Sequence, residues 1–377
     1  MENKPSVAII RGKFLNAYEM QIFEPLVKSF EIRGFGSLTS YHSKFSFPVT
    51  KLPSPMDLPE FPMKMPIVNR IFTDGHYLLG LEKSLQGYDI VHSAETYYHY
   101  TQQALNAKKS GKVKKVIATV LENIPFNNEG IMGRKEFKER AREELDHIIA
   151  LTQRTKAALI LEGADEKKIT VISHGIDTKR FFPLSKPSAN NKDVNILFTG
   201  RLEVYKGIYE VIYAFKRLKE DKDLKKHKLS LTIVGEGSEK ESLLILEKQL
   251  GIANYINHKN VTYNLMPEIY RQANIYVAPS KASKYWVEQY NTGLLEAQSS
   301  GLPIVTTYSG GIPENVGDAA TLVSPNDFYA LSEAIKQYIL YPRLRKEFSA
   351  ASRKRAVSVH DVTIISRKIS NLYNSLL

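Results

Sequence analysis

The chain has 377 residues, 43% hydrophobic and 24% charged, which suits two soluble globular domains rather than one. It has no cysteine, which excludes disulfides, thiol nucleophiles and cysteine-held metals and fits a reducing compartment. The net charge of +12 is spread, +5 over residues 1–182 and +7 over the rest, so it suits anionic partners without marking a basic tail. No run approaches the ~20 apolar residues of a membrane span. The opening MENKPSVAII lacks the basic-then-apolar pattern of a secretion signal. These features point to a cytoplasmic protein, and an acidic membrane face is one surface that diffuse positive charge would suit.

Apolar runs alternate with amphipathic segments from end to end. In the first half Ser6–Ile10, Ile90–His92, Val116–Val120, Ile148–Leu151 and Ile169–Ile172 read as buried parallel strands, with helices over Tyr97–Lys109 and Lys135–Glu144. Phe45–Ile71 contains six prolines among Phe and Met, which forbids one continuous helix and predicts a long loop or flap. Phe182–Asp193, rich in Pro, Ser, Asn and Lys, cannot fill a core and reads as a linker. In the second half, strands are predicted near Asn195–Thr199, Ser230–Val234, Val261–Tyr263, Ile275–Ala278 and Pro303–Thr306. A basic helical stretch follows from about Tyr341, with Ile364, Ile365, Ile369 and Leu372 at helical spacing. The pattern predicts an α/β fold of two doubly wound, Rossmann-like domains. The expected boundaries are 1–182, a linker 183–193, and 194–354, with the helix at about 355–377 returning to the first domain.

Chemistry-bearing residues concentrate in the second half. In VAPSKASKYWVEQYNTGLLEAQSSGLPIVTTYSGGIPE, Glu288 and Glu296 have seven residues between them. A strand, a loop and then a helix opening at Asn291–Thr292 would bring free N–H groups to the carboxyl edge of the sheet, where phosphates and nucleotides bind. Glu296, one turn into that helix, has two acceptor oxygens that suit a ribose diol, and Glu288 could reach a sugar beyond the diphosphate. In FTGRLEVYKG, Gly200 ends a strand and Arg201 and Lys206 follow around a short turn. Two fixed cations there suit a diphosphate gaining charge as it leaves. In VGEG, Gly235 and its neighbour Glu236 mark another strand end where backbone can approach closely.

These elements, in this order, resemble the donor domain of glycosyltransferase family 4, whose fold is called GT-B. The shared pattern is G-R-L, a Lys-Gly, V-G-x-G, E-x7-E, then E-A-x-x-x-G-x-P-[IV]; HGIDTKRFFP resembles the family's entry to its interdomain linker. The resemblance implies two Rossmann-like domains facing a cleft, transfer with retention, and a nucleoside diphosphate sugar as substrate with no cofactor and no obligatory metal. Carried over by position, Arg201 and Lys206 would bind the diphosphate, Glu288 the transferred sugar and Glu296 the ribose. Tyr290, Asn291 and Thr292 would line the donor loop. The chain departs from the family twice. The loop reads Glu288-Gln289-Tyr290-Asn291 where E-G-F-G is usual, and Leu121 stands where many members carry a His. Glu122 or Asn123 would then take over sugar contact, with Gly12 as what remains of the first glycine-rich loop.

Plainer readings stand beside these. Asp221-Lys222-Asp223 imitates a metal-binding DxD but lies in a solvated charge run, and His92 and His99 read as structural. Glu314 fits a helix's acidic first turn as well as a cleft wall. The implied activity is transfer of a sugar to a sugar, a lipid-linked glycan or a similar hydroxyl acceptor. A nucleotide-sugar 2-epimerase and a donor-binding, inactive scaffold remain open. No helix-turn-helix, zinc finger or RNA platform supports nucleic-acid binding.

Overall fold

A computed structural model describes residues 4–184 and 192–377, in two compact units. The first runs to Gly175 and takes back Val362–Leu377; the second is Ile176–Asp361. Most of the expected linker, residues 185–191, lies outside the described residues.

The first unit holds seven strands: β1 (Ser6–Gly12), β2 (Glu31–Ser37), β3 (Val49–Leu52), β4 (Tyr88–Ala94), β5 (Val113–Val120), β6 (His147–Ala150) and β7 (Ile169–Val171). They form one parallel sheet in the order β3-β2-β1-β4-β5-β6-β7. Alternation along β1 explains why both faces are buried. Val7 and Ile9 enter one core with Ile90, Ile117 and Ile149, whereas Ala8 and Ile10 enter another with Val91, Val116 and Ala118.

The last helix, Val362–Leu376, closes the first of these faces with Ile365, Ile369 and Tyr373. Ser366 Oγ donates to Ile22 O at 2.5 Å. The phenol oxygen of Tyr373 lies 2.7 Å from His92 Nδ1, and His92 Nε2 lies 2.7 Å from Thr119 Oγ1. Burial holds the His92 pKa well below the ordinary histidine range, so the ring is a neutral bridge inside the sheet.

The second unit holds β8 (Asp193–Thr199), β9 (Lys228–Val234), β10 (Ile256–Lys259), β11 (Ile275–Ala278), β12 (Ile304–Thr307) and β13 (Thr321–Val323). They too form a parallel sheet, ordered β10-β9-β8-β11-β12-β13. Helices Ile208–Glu220 and Phe328–Leu340 cover one face through Ile208, Val211, Phe215, Leu331 and Ile335. Strand order reverses between β8 and β11, and the crevice at such a switch point is where open α/β sheets bind ligands.

Four expectations need correction. The first unit ends at Gly175, not at residue 182. Phe181 is fully buried against Tyr270, and Arg180 lies 4.2 Å above the Tyr263 ring and donates to Tyr263 O at 2.7 Å. These contacts tie residues 176–184 to the second unit, which also keeps the π-helical turn Ala356–His360, so the returning helix starts at Val362 rather than about 355. The strand expected at Val261–Tyr263 is instead Ile256–Lys259. Its partner β9 runs out at Val234, opposite Lys259, so the β-prone residues that follow have no ladder to join. The proline-rich Phe45–Ile71 is not a plain loop. It contributes edge strand β3, a 3-10 turn at Pro55–Asp57 held by a Ser54–Asp57 capping box, and most of helix Lys64–Phe72, whose first turn accommodates Pro66.

Tyr373→Phe strands the buried Nδ1 of His92 and is expected to cost about 1–3 kcal/mol in urea unfolding. An unchanged unfolding midpoint would show that this bridge adds nothing to stability.

Candidate active site

The turns after β8 and β9 cross at the switch point with almost no space between them. Gly200 N donates to Val234 O at 3.0 Å and Leu202 N to Glu236 O at 2.9 Å. A Cβ on Gly235 would lie 1.9 Å from Gly200 O, so that crossing requires glycine. Glu236 takes part in the crossing through its backbone carbonyl, and its exposed carboxylate pairs with Lys240 at 2.8 Å.

From this crossing the chain turns through Arg201 to Lys206 and enters helix Ile208–Glu220. Lys206 Nζ lies 2.6 Å from Glu288 Oε2, and Ser280 Oγ donates to the same oxygen at 2.8 Å. The three side chains come from the turn after β8 and from both ends of the loop after β11. Arg201 is exposed beside them, its guanidinium 5.4 Å from the Tyr205 ring centre. The geometry therefore assembles two cations and one carboxylate at the carboxyl ends of β8 and β11.

The loop is fixed from behind. Gly311 N donates to Glu288 O at 2.8 Å, and a Cβ on Gly310 would lie 1.9 Å from that oxygen. Asn315 Nδ2 donates to Tyr290 O and, at 3.2 Å, to Asn291 O, while Gln298 Nε2 donates to Asn315 Oδ1 at 2.8 Å. Arg355 Nε at 2.7 Å and His360 Nε2 at 2.9 Å hold the Asn315 carbonyl in turn, and the Tyr290 hydroxyl lies 3.3 Å from His360 Nδ1. Asn291 has φ 56°, a left-handed conformation that Asn tolerates better than most side chains. It stands at the place of the second glycine of E-G-F-G. Asn291 is not the side-chain cap expected of it, because this backbone leaves its side chain making no cap hydrogen bond to the helix that Thr292 opens.

Glu296, in helix Thr292–Ser299, is buried below this loop. Burial pushes its pKa up to about 7, against the pull of hydrogen bonds from the Tyr270 and Tyr263 hydroxyls and the charge of Arg180. Tyr270 and Tyr276 also meet Thr199 Oγ1, at 2.8 and 2.9 Å, so the carboxyl joins a polar cluster beside Gly200.

The weaker candidates lie in the first unit. Gly12 ends β1 with φ 54°. Glu122 accepts from Asn123 N and Ile124 N at 3.0 Å each and from Asn127 Nδ2 at 2.8 Å, so its carboxylate closes its own turn, with Asn123 buried beside it. Sequence reasoning passed over Glu95, directly after β4. Its φ is 57°, and its Oε1 accepts from Leu121 N and Glu122 N at 2.9 and 3.2 Å. Burial, aided by the Glu122 charge, pushes its pKa up to about 8. Also missed were Ser280, Asn315, the tyrosines around Glu296, and Trp286, which stands out in the sequence only as its single tryptophan. The DxD look-alike is structural: Lys336 pairs with Asp221 at 2.8 Å and Asp223 at 2.6 Å.

Comparison with known proteins bears on the fold and the family. Residues 182–355 match the family model Glycosyl transferases group 1, and residues 50–180 match Glycosyltransferase Family 4. Glycogen synthase of Mycobacterium tuberculosis is 30% identical over 218 residues, 56% of this chain and 50% of that protein. D-inositol 3-phosphate glycosyltransferase 2 of Catenulispora acidiphila is 28% identical over 272 residues, 67% and 58% of the two chains. The chain thus spans 50% and 58% of the length of these curated relatives. Among solved structures, sucrose-phosphate synthase of Thermosynechococcus elongatus superposes with a TM-score of 0.77 at 18% identity, covering 99% of both chains. Anabaena HepE in complex with UDP-glucose gives 0.75 at 16% identity, covering 98% of this chain and 99% of the other. These likenesses establish the GT-B fold. Two family models that tile most of the sequence, on a structure of that fold, place the chain in glycosyltransferase family 4.

Proposed function

We propose that the chain is a metal-independent, retaining glycosyltransferase that moves a sugar from a nucleoside diphosphate sugar to a hydroxyl of a sugar or lipid-linked glycan. The observation that carries this reading is the convergence of Arg201, Lys206 and Glu288 at the switch point of the second sheet. Breaking the bond between the anomeric carbon and the diphosphate leaves positive charge on the sugar and adds negative charge to the leaving group. Arg201 and Lys206 answer the second charge and Glu288 the first, and such fixed charges act most strongly where water is excluded. The departing phosphate oxygen takes the acceptor's proton, so no dedicated protein base is required. Glu296 accepts from the ribose hydroxyls. The UDP-glucose bound to the fold neighbour HepE makes that donor the first to try.

Calorimetric titration with UDP-glucose and related donors tests the site. Arg201→Ala and Lys206→Ala are each expected to cut single-turnover transfer by on the order of 10²–10³. Near-wild-type rates in both would place the diphosphate elsewhere. Turnover is expected to survive excess EDTA; loss restored by Mn²⁺ would overturn metal independence.

Glu296 adds a pH dependence. Its folded pKa lies above the ordinary 4.5, so the folded chain holds this proton more tightly than the unfolded chain. Stability from this group therefore rises as pH falls from about 7 towards 4.5. Donor binding needs the ionised carboxylate and runs the other way, weakening as pH falls through about 7. UDP-glucose dissociation constants measured from pH 5.5 to 8.5 should show this, and Glu296→Gln should flatten the profile. A wild-type profile already flat would remove Glu296 from the ribose.

A further inference from the structure

Four side chains from two segments form one cluster beside the Lys206–Glu288 pair. The Arg201 guanidinium lies 5.4 Å from the centre of the Tyr205 ring. That ring lies 4.2 Å from Trp286, centre to centre, and Lys206 Nζ lies 4.6 Å from the Trp286 ring centre. The two ring planes are tilted by 44°, and Lys206 Nζ also lies 6.0 Å from the Tyr205 ring centre. Arg201, Tyr205 and Lys206 come from the turn after β8, whereas Trp286 comes from the segment between Ser280 and Glu288.

The segment is built to present that ring. Lys281 N donates to Tyr205 O at 2.9 Å, and Lys281 Nζ pairs with Glu210 at 2.6 Å. Ser283 N donates to Trp286 O at 2.7 Å, and Trp286 N to Ser283 Oγ at 3.1 Å. Ala282, Ser283, Lys284 and Tyr285 are exposed and Trp286 is half-buried, so the indole is not filling a core. Among the described residues the Arg201 side chain makes no hydrogen bond or ion pair, and its guanidinium lies over the Tyr205 ring.

We propose that Trp286, together with Tyr205, is a positioning residue that sets the spacing and direction of Arg201 and Lys206 for one diphosphate. This rests on reading the site as a donor site. A ring face attracts a cation through its quadrupole without occupying the cation's N–H donors. A guanidinium held over a ring face keeps N–H donors available to phosphate. Long, flexible side chains ordered in advance have less freedom to lose when the ligand arrives.

The single tryptophan makes intrinsic emission a report on this one spot. UDP-glucose, UDP and inorganic pyrophosphate are each titrated into the full chain, by fluorescence and by calorimetry. Trp286 emission is expected to change with the dissociation constant that calorimetry gives. Trp286→Phe keeps a ring and should lose less than about threefold in kcat/KM, whereas Trp286→Leu should lose roughly 3–30-fold, the range of a cation–π contact. Lys206→Ala should then cost less in the Trp286→Leu background than in the wild type. Binding seen by calorimetry with unmoved emission would overturn the positioning role and leave the donor site standing. So would a Trp286→Leu enzyme that keeps full kcat/KM and the full Lys206→Ala effect. No calorimetric binding of any of the three ligands would overturn both readings. The emission titration needs no variant, so a Trp286→Leu chain that failed to fold would not blunt the test.

Discussion

The 2.6 Å contact between Lys206 Nζ and Glu288 Oε2 is the interaction on which the second unit's site depends. Both side chains are largely buried, and withdrawing two charges from water costs several kcal/mol per ion. Their attraction offsets that cost only with good geometry and further partners. Ser280 supplies a second donor to the same carboxylate oxygen, and the Trp286 face lies against the ammonium. The pair is therefore better understood as a joint than as a source of stability. It fastens the turn after β8 to the loop after β11, the two segments that flank the switch point.

Parallel strands were legible because burial on both faces makes each one a short apolar run, as in Val116–Val120 and Ile275–Ala278. Edges were not. β2 contains Gly34 and Gly36, β3 follows Pro48, and β13 has only three residues, so none presents a sustained apolar signal. Val261–Tyr263 shows the converse error, because propensity cannot show where a partner strand has ended. The site divides in the same way. Arg201, Lys206, Glu288 and Glu296 sit in an ordered motif and were named from it. Glu236 shared that motif, and its backbone carbonyl accepts from Leu202 N there. Tyr263, Tyr270 and Arg180 surround Glu296 from segments with no fixed spacing to it, and only the folded chain brings them together.

The two sheets also place backbone strain alike. β4 and β11 are each the fourth strand of their unit and each flank the switch point. A non-glycine residue at positive φ follows each one: Glu95 directly after β4, and Asn291 at the end of the loop after β11. Such conformations persist only where neighbours over-determine them. Glu95 N donates to Thr119 O at 2.9 Å, its carbonyl accepts from Thr101 Oγ1 at 2.9 Å, and its carboxyl accepts two further backbone N–H groups. The Asn291 carbonyl accepts from Leu294 N at 3.1 Å and from Asn315 Nδ2 at 3.2 Å. The shared feature is thus a position in the topology rather than a residue type. At that position the chain leaves a buried strand and must turn back to start a helix, within a few residues after β4 and through a long loop after β11. Side chains at such a reversal stand at the carboxyl edge of the sheet, where a ligand meets them first. A glycine would make either reversal without strain. Holding it with Glu or Asn leaves a polar side chain there, and in the second unit the same clamp that supports Asn291 also fixes the carbonyl of Tyr290, two residues beyond Glu288.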